Sequence, residues 1–169
     1  MIHPSAIEII HNIEATLVDI VEPVVQTTTA RSALATIGHL LRHVALRIED
    51  EGQLLTDDIT ALKTLLDDLA TYVASTGDTA RAHKIGTAMS AAEPPAGRYP
   101  SIQILATQAV ALRAVVQDIL AHLQTQRDAR KDEADYLAAR AAIRAYLTAD
   151  VLTEARLIHP AFEDKGPRR

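Results

Sequence analysis

The stretch Leu34-Ala-Thr-Ile-Gly-His-Leu-Leu-Arg-His-Val-Ala-Leu-Arg-Ile48 predicts a helix with a narrow apolar stripe. Large aliphatic residues recur in it at alternating intervals of three and four, at Leu34, Ile37, Leu41, Val44 and Ile48. Because an α-helix turns once every ~3.6 residues, this spacing places them on one side of the helix. Such a stripe is typical of a helix in a bundle. We therefore predict a bundle helix over about residues 30–50.

Segments with a similar helical period surround this stretch. They predict further helices over about residues 4–25, 56–76, 79–92, 101–126 and 134–148, the last extending at most to 157. Pro23 predicts a kink near the end of the first helix, and Gly52 predicts a C-cap for the second. The fold class is therefore predicted to be all-α, a four-to-six-helix bundle. It forms a single domain over residues 1–160, followed by a flexible C-terminal tail at 161–169.

The composition excludes several classes of function. The chain of 169 residues has no cysteine, which rules out disulfides, cysteine nucleophiles and thiolate metal sites. A net charge of -5 and 3% aromatic residues argue against nucleic-acid binding. Glycine-rich phosphate loops and nucleophile motifs are absent. With no signal peptide and no apolar run long enough to cross a bilayer, we expect a cytoplasmic protein with no membrane partner.

One carboxylate stands where a bundle helix normally carries an apolar residue. Glu14 falls on the apolar stripe of the first helix, where a charge is costly unless it is paired or protonated. It is the candidate catalytic residue, as a general base or a metal ligand in the bundle interior, and a candidate ligand-binding group in a pocket with Arg113, Tyr72 and His11. The alternative is a structural glutamate at the stripe edge, paired with an arginine such as Arg113.

Two pairs of residues have the i, i+4 spacing that lets neighbouring side chains share a metal ion. They are His39 with His43, and Asp118 with His122. The alternative is that these pairs lie on solvated faces or at a subunit contact. No cofactor is predicted.

Another candidate lies before the fifth predicted helix. Arg98 follows a double-proline loop there, so it is a candidate for binding an anion near a helix N-terminus. The alternative is a plain lead-in to the helix.

The segment from Ala30 to Leu55, ARSALATIGHLLRHVALRIEDEGQLL, resembles small uncharacterised bacterial helical proteins associated with aminoglycoside-phosphotransferase-like kinases. The resemblance covers the first third of the chain and implies an accessory subunit or partner of a kinase-like enzyme. The polar-side Leu46 and the histidine face of the same helix also suggest a contact surface. We therefore expect a non-catalytic interaction protein with a protein partner or a homo-oligomeric state. The alternatives are a small-molecule-binding or catalytic bundle around Glu14, or a His/carboxylate metal site.

Overall fold

The computed structural model describes residues 3–93 and 99–162. Within these ranges the chain is helical and contains no β-strand, so the predicted all-α bundle is confirmed. The helices are α1 (Ala6–Thr16), α2 (Thr28–Thr76), α3 (Thr79–Ala91), α4 (Ile102–Thr125), α5 (Arg127–Arg130) and α6 (Ala134–Phe162). The last helix extends beyond the predicted limit of residue 157 and includes the first two residues of the predicted tail, and residues 163–169 lie outside the described ranges.

The first helix is shorter than the sequence predicts. A capping box starts α1, in which the Ser5 amide donates to Glu8 Oε2 at 2.6 Å and the Glu8 amide donates to Ser5 Oγ at 3.3 Å. After α1 the backbone continues as a π-helical turn (Leu17–Val21) and a 3-10 turn (Glu22–Val24). Pro23 lies in the second of these turns, so the break predicted near it is confirmed.

The two helices predicted on either side of Gly52 are one helix. The helix α2 runs through 49 residues without interruption, and the prediction of a C-cap at Gly52 was wrong. Thr56, expected to open a new helix, instead donates from Oγ1 to the Gly52 carbonyl at 2.8 Å, one turn back. A helix-interior glycine costs only about 1 kcal/mol, which packing along a long helix outweighs. The helix α2 ends just before Gly77, whose φ of 69° is typical of a glycine that follows a helix end.

Contacts group the chain into two compact units. The first unit contains residues 1–51 and 153–169, and the second contains Gly52–Leu152. The buried core lies entirely in the second unit, where α2, α3, α4 and α6 contribute Ile59, Leu62, Leu65, Leu66, Leu69, Tyr72, Val73, Ile85, Leu105, Ala109, Leu112, Val116, Ile119, Leu123, Tyr136, Ala139 and Ile143. No side chain described in the first unit is buried.

The helix α4 is the most apolar helix of the second unit. By length and composition alone it could cross a membrane, although the sequence showed no uninterrupted apolar run of that length. Six of its residues are buried in the core, an arrangement also found in the central helix of a soluble bundle.

Candidate functional sites

Glu14 is paired with an arginine of its own unit. Its Oε1 accepts a hydrogen bond from Arg42 Nη1 of α2 at 3.1 Å, and both side chains are about one quarter exposed (26% and 28%). The second Arg42 amino group, Nη2, lies 2.9 Å from His39 Nδ1, one turn back on α2. The partner of Glu14 is thus Arg42 rather than the expected Arg113. The arrangement is that of a partly buried carboxylate neutralised by a guanidinium.

His11 lies on the exposed side of α1, beside an open cleft. The cleft has a volume of about 530 Å³ and is lined by His3, Pro4, Glu8, His11 and Asn12. Hydrogen bonds from the Ser5 backbone and side chain, with a contribution from His3, lower the pKa of Glu8. These contacts fix the start of α1, so Glu8 is used in capping the helix.

Arg113 belongs to a polar cluster in the second unit. Its Nη2 lies 3.2 Å from Asp58 Oδ2 and 3.1 Å from Asp150 Oδ1, and its Nε lies 3.2 Å from the Tyr146 hydroxyl. Tyr146 donates in turn to Asp58 Oδ1 at 2.7 Å. Burial is the largest effect raising the pKa of Tyr146, so the phenol stays protonated as a donor. Because the Asp58 side chain is only 12% exposed, these contacts supply the neutralisation that a buried carboxylate requires.

The cluster around Asp58 was missed by the sequence argument. The predicted helix over residues 56–76 would place Asp58 in its first turn, where the helix dipole stabilises a carboxylate. In the continuous α2 it lies instead about 40° from Leu62 on the helix surface, next to the buried stripe. The argument applied to Glu14 would have identified Asp58 as well, had the two predicted helices been treated as one.

Tyr72 is buried in the core between three other side chains. Its ring lies 6.1 Å from that of His122 and 6.4 Å from that of Tyr136, and the Arg130 guanidinium lies 5.2 Å above it. Among the described residues, neither the Tyr72 hydroxyl nor His122 Nε2 has a hydrogen-bond partner, and both atoms are buried. Burial raises the pKa of Tyr72, against the opposing effect of Arg130. Tyr72 is therefore a core residue of the second unit.

The Asp118 and His122 pair faces cations. Arg81 Nε donates to Asp118 Oδ2 at 3.0 Å, and Lys84 Nζ lies 3.5 Å from the same oxygen. Burial and the positive charge of Arg81 lower the pKa of His122, so its neutral form is favoured. The Arg81 guanidinium therefore already binds the Asp118 carboxylate oxygen that would have to coordinate a metal ion.

Among the described residues, the other proposed metal pair does not form part of a group of three possible metal ligands. His39 contacts the guanidinium of Arg42, and His43 follows it one turn later on α2. Across residues 3–93 and 99–162, no three His, Asp or Glu side chains form a group that could hold a metal ion. The metal hypothesis is thus left with two ligands at each pair, one fewer than a protein metal site normally has. Arg98, the remaining candidate, lies outside the described residues.

A cavity in the second unit was not anticipated from the sequence. It has a volume of about 320 Å³ and is lined by Leu120, Leu123, Gln124, Arg127, Tyr136 and Arg140. The Arg140 guanidinium lies 5.8 Å from the centre of the Tyr136 ring. The cavity therefore combines apolar walls with two guanidinium groups at its edge. No sequence pattern would have brought the end of α4 next to the start of α6.

A different surface is exposed in the first unit, on the N-terminal part of α2. Ile37, Leu40, Val44 and Ile48 are 42%, 60%, 43% and 40% exposed, and we call these four residues the bare stripe. Three of them belong to the apolar stripe that the sequence predicted as a bundle contact. Leu46, expected on the polar side, is half-buried. Much of the apolar stripe predicted for a bundle helix is therefore exposed among the described residues, whereas Leu46 and the histidines, on which the sequence based a contact surface, are half-buried.

Comparisons with protein-family models, with curated proteins and with solved structures found no match. The function must therefore be argued from the surfaces and sites of the chain itself.

Proposed function

We propose that the chain is a non-catalytic interaction protein that docks on a protein partner through the helices of its first unit. The observation that carries this proposal is the bare stripe on α2. Four large aliphatic side chains there are about half exposed, in a unit that has no buried side chain among its described residues. Scattered exposed aliphatics are common on soluble proteins, whereas an aligned set is typical of a contact surface.

The energy available from covering the bare stripe is substantial. Complete burial of a Leu, Ile or Val side chain contributes ~1.5–3 kcal/mol, so covering a half-exposed one contributes about 1 kcal/mol. The four residues together offer about 4 kcal/mol. This equals a factor of about a thousand in an association constant.

The polar residues support a non-catalytic role. Glu14 is neutralised by Arg42, and Asp58 is held by Arg113 and Tyr146. A general base needs a carboxylate that is free to accept a proton from a bound substrate. In both places the carboxylate already binds a guanidinium, which is how structural ion pairs are arranged.

The resemblance of residues 30–55 suggests which partner to test first. It points to an accessory protein of an aminoglycoside-phosphotransferase-like kinase, and these residues include the whole bare stripe. A partner that covers the stripe should present an apolar face of its own, because the stripe offers little hydrogen bonding.

The experiment compares affinity-tagged wild type with the double variant Leu40→Gln/Val44→Gln in extracts of the native host and with the purified kinase-like enzyme. The matched control is Val110→Gln, because Val110 is 65% exposed on α4, in the other unit. We expect wild type and control to retain a protein, either the enzyme or untagged chain, and the double variant to lose it. A monomeric wild type that retains nothing, or a double variant that retains as much as wild type, contradicts the proposal.

A second candidate function is the binding of a small anionic compound with an apolar body. The observation that favours it is the 320 Å³ cavity edged by Arg127 and Arg140, a volume within the range of ligand sites. Thermal shift with octanoate, and with octanol as the uncharged control, tests it. Octanoate should stabilise wild type and Arg144→Gln more than octanol does, and should lose this advantage with Arg140→Gln. Equal effects on Arg140→Gln and wild type would exclude the cavity as the site.

A further inference from the structure

Two arginines at the cavity of about 320 Å³ in the second unit have no carboxylate partner among the described residues. Arg127 begins α5 and Arg140 lies in α6, and both line the cavity. Neither guanidinium forms an ion pair within the described ranges, whereas Arg81, Arg113 and Arg130 of the same unit each bind two carboxylates. The cavity edge therefore carries two uncompensated positive charges, in a protein whose net charge is -5.

The wall of the cavity supplies a further hydrogen-bond donor. Tyr136 lines the cavity and is 1% exposed, with the Arg140 guanidinium 5.8 Å from the centre of its ring. The Tyr136 backbone amide donates to Asp135 Oδ1 at 2.8 Å, whereas its hydroxyl forms no hydrogen bond with a described residue. Buried phenols normally find a partner, and a ligand oxygen in the cavity can be that partner.

The apolar part of the cavity suits a short hydrocarbon chain. Leu120 and Leu123 line it together with Tyr136, and Leu123 is 1% exposed. One water molecule occupies ~30 Å³ of the liquid, so 320 Å³ corresponds to about ten non-hydrogen atoms. A chain of about eight carbons therefore fits when its charged end group stays at the arginines.

We propose that the cavity binds a monoalkyl phosphate as its dianion, with the phosphate at Arg127 and Arg140 and the alkyl chain against the leucines. This inference rests on the second candidate function and names its ligand class. Near neutral pH a phosphate monoester carries a charge of about -1.5 to -2, close to the sum of two guanidinium charges with the opposite sign. Its three outer oxygens can accept hydrogen bonds from both guanidiniums and from the Tyr136 hydroxyl. A carboxylate or a sulfate ester carries a single negative charge, which leaves one of the two arginines uncompensated.

The first experiment compares octyl phosphate with octyl sulfate by isothermal titration calorimetry, below the concentration at which either compound forms micelles. Both probes have the same chain and a tetrahedral end group, but at about pH 8, above the phosphate pKa of ~6, only octyl phosphate is a dianion. We expect wild type to bind octyl phosphate about fivefold more tightly or better, the effect of one further charge pair near a protein surface. Equal affinities for the two probes would overturn the dianion assignment.

The second experiment removes one positive charge at a time from the cavity edge. Arg127→Gln and Arg140→Gln should each weaken octyl phosphate binding about tenfold or more, because each loses a hydrogen bond between charged groups, and should abolish the preference over octyl sulfate. The matched control is Arg144→Gln, because Arg144 is exposed one turn further along α6 and is not a lining residue of the cavity. It should bind both probes as wild type does. Circular dichroism of each variant verifies that it is folded.

Two further measurements test the alkyl chain and the phenol. Inorganic phosphate should bind about a hundredfold more weakly than octyl phosphate or worse, because each buried CH₂ group contributes roughly fourfold in affinity. Equal binding of inorganic phosphate would instead indicate a site for the free ion and overturn the alkyl part of the proposal. Tyr136→Phe keeps the wall and removes the hydroxyl, so it should weaken octyl phosphate binding about tenfold, and an unchanged affinity would overturn the assignment of this donor.

The outcomes separate this inference from the second candidate function. Octanoate that binds as tightly as octyl phosphate, with both lost in Arg140→Gln, overturns the phosphate assignment and leaves the binding of an apolar anion intact. A wild type that binds none of the probes overturns both. Binding that is unchanged in both Arg127→Gln and Arg140→Gln also overturns both, because it places the anion outside this cavity.

Discussion

Two tyrosines of the second unit, the half-buried Tyr146 and the buried Tyr72, should respond in opposite ways to loss of their hydroxyl groups. Tyr146 donates to the largely buried Asp58 carboxylate at 2.7 Å, whereas the buried Tyr72 hydroxyl has no hydrogen-bond partner among the described residues. Tyr146→Phe removes a hydrogen bond to a charged group, which contributes ~1.5–3 kcal/mol. Because Arg113 still neutralises Asp58 in the variant, we expect a loss in the lower half, about 1.5–2 kcal/mol.

The matched variant Tyr72→Phe removes a buried hydroxyl that has no geometric hydrogen-bond partner among the described residues, beside the Arg130 guanidinium. We expect its free energy of unfolding to equal or exceed that of wild type, because the penalty of a buried unpaired hydroxyl disappears. For a chain of this size, the loss in Tyr146→Phe should lower Tm by about 3–8 °C, at ~2–4 °C for each kcal/mol.

The assay is urea unfolding near neutral pH. All four tyrosines lie between residues 52 and 152 and the chain has no tryptophan, so near-ultraviolet circular dichroism reports on the second unit. Comparing the midpoint at a constant m-value isolates a change in stability from a change in the unfolded state. Equal losses in the two variants, or a Tyr146→Phe variant within about 0.5 kcal/mol of wild type, would refute the reasoning.

Two further predictions concern pH and backbone conformation. Since burial and Arg81 hold the pKa of His122 below its usual ~6.5, the contribution of this neutral histidine to stability is full above that pH and is lost as the pH falls through the lowered pKa. The urea midpoint should therefore fall more steeply in wild type than in His122→Asn as the pH is lowered from about 7, and identical profiles would contradict the assignment. Gly86→Ala should stabilise by ~0.5–1 kcal/mol, because an added Cβ meets no atom within 4 Å in the middle of α3. Gly77→Ala should destabilise by ~1–2 kcal/mol because its φ is +69°, and thermal unfolding that ranks the two glycine variants the other way would show this account to be wrong.

The helix predictions succeeded where the pattern was periodic and failed where a single residue was used as a boundary. The 3.6-residue period identified every long helical segment, because the energy of burying one face dominates helix formation in proteins. Gly52 was a weak boundary, because a glycine only lowers helix stability and neighbouring residues can compensate. The helix ends instead before Gly77, whose positive φ cannot continue a right-handed helix.

The site predictions depended on partners that the sequence does not reveal. Glu14 was identified as a costly carboxylate from its position on the helix, and it does lie half-buried against a guanidinium. That the guanidinium belongs to Arg42 follows from how two helices pack, which the pattern of one helix does not contain. For the same reason Asp58, Arg113 and Tyr146 could not be grouped in advance, since they stand on three different helices.

The sequence alone determined that this chain is an all-α protein and which side of each helix is apolar, because both follow from local periodicity. The stripe from Leu34 to Ile48 was visible in that way from the start. Only the tertiary structure decided which part of the apolar surface is buried within the chain. Apolar residues of α2 in the second unit are buried where α4 and α6 supply neighbouring side chains, whereas Ile37, Leu40, Val44 and Ile48 in the first unit are exposed. Burial depends on what lies opposite a surface, and that is a property of packing between distant segments.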